Sequence, residues 1–165
     1  MADDNIRSQA VSSPGKLRVA AASLTVSFVA LTGIAAHEGY VGQSYRDPVG
    51  VWTIGFGETH GVIPGQTTTR QRAMVQLAAS ADAHAKGMVS CIHVPLSQGE
   101  FDAYADFTYN IGVTGFCRSS VATKLNAGNY DGACAELLKF VYAKGKVFPG
   151  LVARRKQEYE TCLRS

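Results

Sequence analysis

Dense basic runs are missing from these 165 residues, and without them the electrostatic footprint of a nucleic-acid binder is absent. The cysteines are few and far apart. Cys91, Cys117, Cys134 and Cys162 form no C-x-x-C pair, which excludes a zinc-finger type of site. No cysteine precedes Cys91, and no internal repeat or low-complexity linker appears. Charge is also missing locally: Val19 to Ala36 holds 18 consecutive residues without Asp, Glu, Lys or Arg.

What remains is ordinary for a globular chain: 46% apolar and 18% charged, with seven Tyr and seven Phe. The length fits one domain with a core of its own, with room for two lobes. The net charge of +3 suits an anionic polymer such as bacterial cell wall, and it equally suits a solvated basic surface. Four cysteines are compatible with free thiols or with two disulfides in any of three pairings.

The uncharged run follows a polar tail and is flanked by Lys16 and Arg18. As a helix it would span roughly 27 Å, close to the hydrocarbon thickness of a bilayer. Three readings compete. A buried core helix is one, since Ala and Ser suit a soluble helix. A cleaved signal peptide is another, with Gly33-Ile34-Ala35 as the cleavage site. Cutting there would leave Glu38 at the ragged start of the mature chain. The third reading is an uncleaved, weakly hydrophobic anchor. Six alanines, with Ser23, Thr25, Ser27, Thr32 and Gly33, keep the free energy of insertion small, so such a segment can enter a bilayer and later leave it. We adopt the third reading. Residues 1–18 are then a cytoplasmic-side tail, 19–36 the anchor and 37–165 an exported catalytic domain, the flanking cations setting that orientation.

Beyond the run, Glu38 ends the helical pattern and Gly39 and Gly42 loosen the chain. Tyr45 to Asp47 and Val51 to Gly57 read as two strands joined by Pro48-Val49-Gly50 turn chemistry. Thr59 to Gln66 is loop. Helices are expected from Thr67–Thr69 to about Val89, from Gln98 to Ile111 behind a Ser97/Glu100 capping box, from Ser119 or Ser120 to Gly128, from Asn129 or Asp131 through Val141, and from Leu151 to Leu163. Gly112 to Cys117 reads as a connector, and Lys144-Gly145-Lys146 as loop.

Glu38, Asp47 and Thr53 carry the chemistry. Glycoside cleavage needs one protonated carboxyl to donate to the leaving oxygen and a second carboxylate on the opposite face. A neighbouring hydroxyl can orient the attacking water. Two acids among 13 can also be a helix-end acid and a turn cap.

Their spacing resembles the E–D–T signature of phage-type lysozymes: Glu38, eight residues, Asp47, five residues, Thr53. Further matching pieces are Gly50-Val-Trp-Thr-Ile-Gly-Phe-Gly57, Thr59-His60-Gly61, Tyr109-Asn110-Ile111-Gly112, and Pro149 through Arg154 and Arg155 to Glu158. The resemblance covers about residues 37 to 165 and implies an α+β, lysozyme-like fold. That fold is mainly helical, with a small β-hairpin lobe and a larger helical lobe flanking a cleft. It implies Glu38 as general acid, Asp47 with Thr53 positioning the water, and peptidoglycan as substrate. Trp52, Gly55 and Asn110 are expected at the glycan, and Arg154 or Arg155 near the acid. No metal, cofactor or nucleic acid is implied, and a monomer is expected.

Some members of this family resemble the chain further, carrying a signal-anchor-release segment before the catalytic glutamate. That implies a periplasmic enzyme first tethered to the host inner membrane through residues 19–36, then freed with the help of a holin or pinholin. With no cysteine in the anchor, activation is expected through refolding of residues near 20–37 into a soluble helix. Export favours disulfides, and Cys91–Cys117 and Cys134–Cys162 are the expected pairs.

Overall fold

In the computed structural model, which describes residues 15–164, the uncharged run is divided rather than continuous. Val19 forms a β-bridge with Leu96, Ala21–Ser23 makes a single 3-10 turn, and only Phe28–Glu38 is an α-helix, α1. The expectation of one soluble helix from about residue 20 is corrected accordingly. The cause is local. Leu24 and Ser27 are extended, and the Ser27 hydroxyl accepts from Ala30 N–H, so a helix cap lies inside the run. Most of the tail assigned to residues 1–18 lies outside the described residues.

Gly39, at φ +72°, stops α1 where a side chain would be strained. Strands β1 (Val41–Arg46) and β2 (Trp52–Gly55) then form an antiparallel hairpin, with Tyr45 opposite Thr53 and Arg46 opposite Trp52. The following loop returns along β1. Ser44 N–H donates to Gln66 O, and Thr68 N–H to Gly42 O, which pins the free edge of the hairpin.

Helix α2 (Arg70–Val89) starts at Thr69, whose hydroxyl accepts from Arg72 N–H. Ala73, Leu77 and Ala81 recur every four residues and face a small core with Ile34 and Phe56. Ala85 and Met88, farther along, enter the large core. One helix thus spans both lobes.

Helix α3 (Gln98–Ile111) opens with the expected capping box and is buried from Gly99 to Thr108. Phe101, Tyr104 and Phe107 are at most 1% exposed. Each fully buried aromatic ring contributes about 2–3 kcal/mol. Around α3 pack α4 (Val113–Cys117), α5 (Ser120–Asn126), α6 (Tyr130–Leu137) and α7 (Pro149–Cys162). Three expectations change here. The helix expected through Val141 ends at Leu137. The stretch expected to be a connector at Gly112–Cys117 contains α4, and Lys144-Gly145 is the turn of a small hairpin, β3 (Tyr142–Ala143) with β4 (Lys146–Val147). The disulfide Cys91–Cys117 ties the end of α2 to α4, and Cys134–Cys162 ties α6 to α7. Closing loops of 26 and 28 residues, each contributes about 3 kcal/mol in the chain-entropy description.

Glu136 on α6 accepts from Lys124, Lys139 and Ser120. The Lys124 ammonium, then Lys139, holds its carboxyl down to about 2. A depressed carboxylate stabilises the fold above its unfolded value and loses that contribution as pH falls through the folded one. Glu136→Gln is therefore expected to melt earlier than wild type at pH 7 and to lose less on acidification. Melting temperatures across pH 7 to 2 check this.

Candidate active site

Glu38 is the last residue of α1, and its side chain is 25% exposed. It stands at a cleft of about 300 Å³ whose lining includes Phe56, Gly57 and Glu58 after β2, Gln76, Ser80 and His84 on α2, and Tyr109 and Asn110 on α3. Carboxylate, amide, hydroxyl and imidazole groups dominate that lining, with Phe56 and Leu77 as apolar floor. A cleft of that chemistry is fitted to a ligand rich in hydroxyl and amide groups. Gly57, beside Glu38 Oε2, adopts φ +89°, a backbone conformation that a side chain would strain.

Arg154 holds Glu38. Its Nη1 donates to Glu38 Oε1 at 2.9 Å, while Nε and Nη2 donate to Asp106 Oδ1 at 3.1 and 2.6 Å. Glu158 Oε1 lies 3.4 Å from Nε. The guanidinium, 5% exposed, thus joins α1, α3 and α7. Arg155, the other arginine expected near the acid, points elsewhere: Nη1 donates to both oxygens of Glu158, Nε to Phe140 O, and Nη2 to Asn110 Oδ1. Asn110 is at the cleft, seated by Arg155. Burial, then the Asp106 charge, pushes Glu158 up to about 8 against the pull of the two arginines. His37 Nε2 is buried without a hydrogen-bond partner among the described residues, 3.9 Å from Asp106 Oδ2. Burial holds its imidazole below the ordinary value despite that carboxylate.

The hairpin carries the other two expected residues. Asp47 N–H donates to Val51 O, so Asp47 lies opposite Val51, and Thr53 is two residues along the same strand. That register puts Asp47 and Thr53 on one face of the hairpin. Asp47 Oδ1 accepts from Val49 and Val51 N–H at 3.0 and 2.8 Å, while Oδ2 has no hydrogen-bond partner among the described residues. The Thr53 hydroxyl, on a 4% exposed residue, donates to Val51 O. Neither residue lines the cleft at Glu38. Trp52 is on the opposite face, under the Arg46 guanidinium. Gly55 meets α2 instead of the cleft: a methyl group there would lie 3.0 Å from Ala73 Cβ.

The sequence reasoning missed Asp106, Gln76, Ser80 and His84. The last three recur every four residues on α2, a polar stripe beside the Ala73–Leu77–Ala81 stripe, and that periodicity was the available signal. Among the described residues, no cluster of His, Cys, Asp and Glu is arranged to hold a metal ion.

The family model for phage lysozyme matches residues 35–158. This chain belongs to the phage lysozyme family. It is similar to an endolysin of Acyrthosiphon pisum secondary endosymbiont phage 1, with 36% identity over 81% of this chain and 94% of that protein. It is also similar to a SAR-endolysin of Enterobacteria phage PA-2, with 32% identity over 91% of this chain and 97% of that one. Coverage of 91% necessarily includes the uncharged run. Among solved structures, the muramidase domain of SpmX from Asticaccaulis excentricus superposes with a TM-score of 0.80 at 28% identity, over 86% of this chain and 99% of that one. The fold is that of the phage lysozymes, mainly helical with small antiparallel strands.

Removing Arg154 leaves three carboxylates around an empty buried space. Arg154→Met is expected to cost about 3 kcal/mol. In a urea double-mutant cycle, Arg154→Met and Asp106→Asn together should cost clearly less than the two singles summed.

Proposed function

We propose that this protein is an endolysin that hydrolyses the β-1,4 bonds between N-acetylmuramic acid and N-acetylglucosamine in peptidoglycan, opening the host cell wall for phage release. The observation that carries the reading is Glu38 at the mouth of a polar cleft, clamped by a buried arginine, in a member of the phage lysozyme family.

Glu38 acts as general acid. In the paired arrangement it is a carboxylate. In the donor arrangement Oε2, the oxygen away from Arg154, carries the proton, and Asp106 keeps Arg154 seated. A glycan in the cleft displaces water, which favours the neutral carboxyl. As the bond from the anomeric carbon to the leaving oxygen breaks, Glu38 passes its proton to that oxygen. A water held by Asp47 Oδ2 and the Thr53 hydroxyl attacks the anomeric carbon from the other face, and Asp47 takes its proton. Asn110, at the cleft, contacts the glycan, and Gly55 sets the spacing of β2 on α2. The reaction uses no metal or cofactor.

We assign the protein to the host periplasm, first tethered to the inner membrane by residues 19–36 and later soluble, acting as a monomer and released when a holin or pinholin collapses the membrane potential. Support comes from α1. Phe28 and Val29 lie side by side at its start, 75% and 69% exposed, apolar surface that a bilayer would cover. Among the described residues no helix is long and apolar enough to cross a membrane, so the tethered form requires residues 19–36 in a different, continuous helix.

Glu38→Gln is expected to fold normally and to lose essentially all wall-degrading activity. Lysis at the wild-type rate would remove the enzymatic reading. Digested wall should carry new reducing ends; anhydromuramic ends would reassign the chemistry to a lytic transglycosylase. Leu24→Lys should give early lysis that no longer waits for depolarisation, read as lysis time in induced cells.

A further inference from the structure

Residues 16–27 carry a second constellation of polar contacts, remote from the cleft, that the chemistry of Glu38 does not use. Arg18 makes three hydrogen bonds to Glu100, at 3.1, 2.9 and 2.6 Å. Glu100 is 1% exposed, and the same carboxylate accepts from Ser97 N–H to close the capping box of α3. The Arg18 guanidinium also lies 3.7 Å from the centre of the Tyr130 ring. Burial pushes Glu100 up, but the hydrogen bonds from Arg18 and Ser97 together with the nearby cations hold it below its usual range, and the Arg18 bond raises Arg18.

The neighbouring contacts follow in order along both segments. Val19 and Leu96 exchange two backbone hydrogen bonds, at 2.9 and 2.8 Å. Gln98 Nε2 donates to Thr25 O, and Ser27 N–H donates to Asp102 Oδ1. Ser27 in turn caps α1, which ends in Glu38. So Leu96, Gln98, Glu100 and Asp102 take up the chain at Val19, Thr25, Arg18 and Ser27. We propose that this stretch at the start of α3 is the receiving site for the membrane segment when it leaves the bilayer, with Arg18 as the latch on Glu100.

The inference rests on the tethered reading above and deepens it. While residues 19–36 span the membrane, Arg18 is on its cytoplasmic side and Glu100 on the other, so the pair cannot form. A potential that is negative inside holds the cation there. The receiving site then lacks the cation that Glu100 pairs with in the docked state. Capture supplies the cation, seats Ser27 on Asp102 and fixes the start of α1. Latching and placement of the catalytic acid are therefore one folding event.

The test uses the full-length chain. Glu100→Gln removes the charge but keeps the capping box, because glutamine serves at that position. In purified soluble protein, hydrogen exchange at the Val19 and Leu96 amides should speed up about tenfold in Arg18→Gln or Glu100→Gln, with no further increase in the double variant. In cells, the fraction of protein leaving the membrane pellet after an uncoupler is added should fall severalfold in each single variant, and Arg18→Lys should restore part of it. Unchanged exchange in both single variants, or additive effects in the double, would overturn the receiving site. Coupled exchange with normal release would overturn the latch. A wild-type chain that never pellets with membranes would refute the tethered reading, and the role in release with it, while the exchange cycle still decides the contact itself.

Discussion

The contact between Arg154 and Glu38 joins residues 116 positions apart, and the site depends on it. A guanidinium that is 5% exposed cannot be left without anions. Here it has Glu38 from α1, Asp106 from α3 and Glu158 from its own helix. Those partners come from three helices, so the acid is held only when all three are docked. The cluster also has more carboxylates than guanidiniums: Glu38, Asp106 and Glu158 against Arg154 and Arg155.

The two halves of the proposed reaction are built on different elements. Glu38 rides on α1, and Asp47 and Thr53 ride on the β1–β2 hairpin, with Gly39 as the corner between them. Relative placement falls to α2, whose alanine stripe lets Gly55 of the hairpin and Ile34 of α1 approach it closely. Helix α3 then serves twice. Its first turn binds the segment before α1, and Asp106, one turn past Asp102, anchors the arginine that holds the end of α1. Disulfides at α2–α4 and α6–α7 tie the helices of the larger lobe together.

Much of the fold was legible because its signals are local. The Ser97/Glu100 box, the caps at Thr69 and Asn129, and the four-residue spacing of Ala73, Leu77 and Ala81 each act within a turn or two of backbone. The family signature located Glu38, Asp47 and Thr53, and the structure puts the first at a cleft and the other two on a shared hairpin face. Long-range partnership was not legible. Nothing near Arg154 or Arg155 says which of them reaches Glu38, and Asp106 reads as one more acid on a helix until α7 packs against it. The break at Leu24–Ser27 was hidden for a related reason. An alanine-rich apolar run is compatible with one helix, and only tertiary hydrogen bonds to Leu96, Gln98 and Asp102 draw it into extended chain.

In the proposed function that run serves two solvents. Its alanines and hydroxyls suit the surface of a protein, and Phe28 and Val29, exposed side by side on α1, are apolar surface that a bilayer would cover. The central claim is that the same residues anchor the enzyme and then position its acid, with no cleavage between. The most direct measurement is the intact mass of the wall-degrading protein recovered from the soluble periplasmic fraction. The account predicts a fully active chain that still contains residues 19–36. An equally active chain that begins at about His37, lacking α1 and its Ile34 contact, would contradict it.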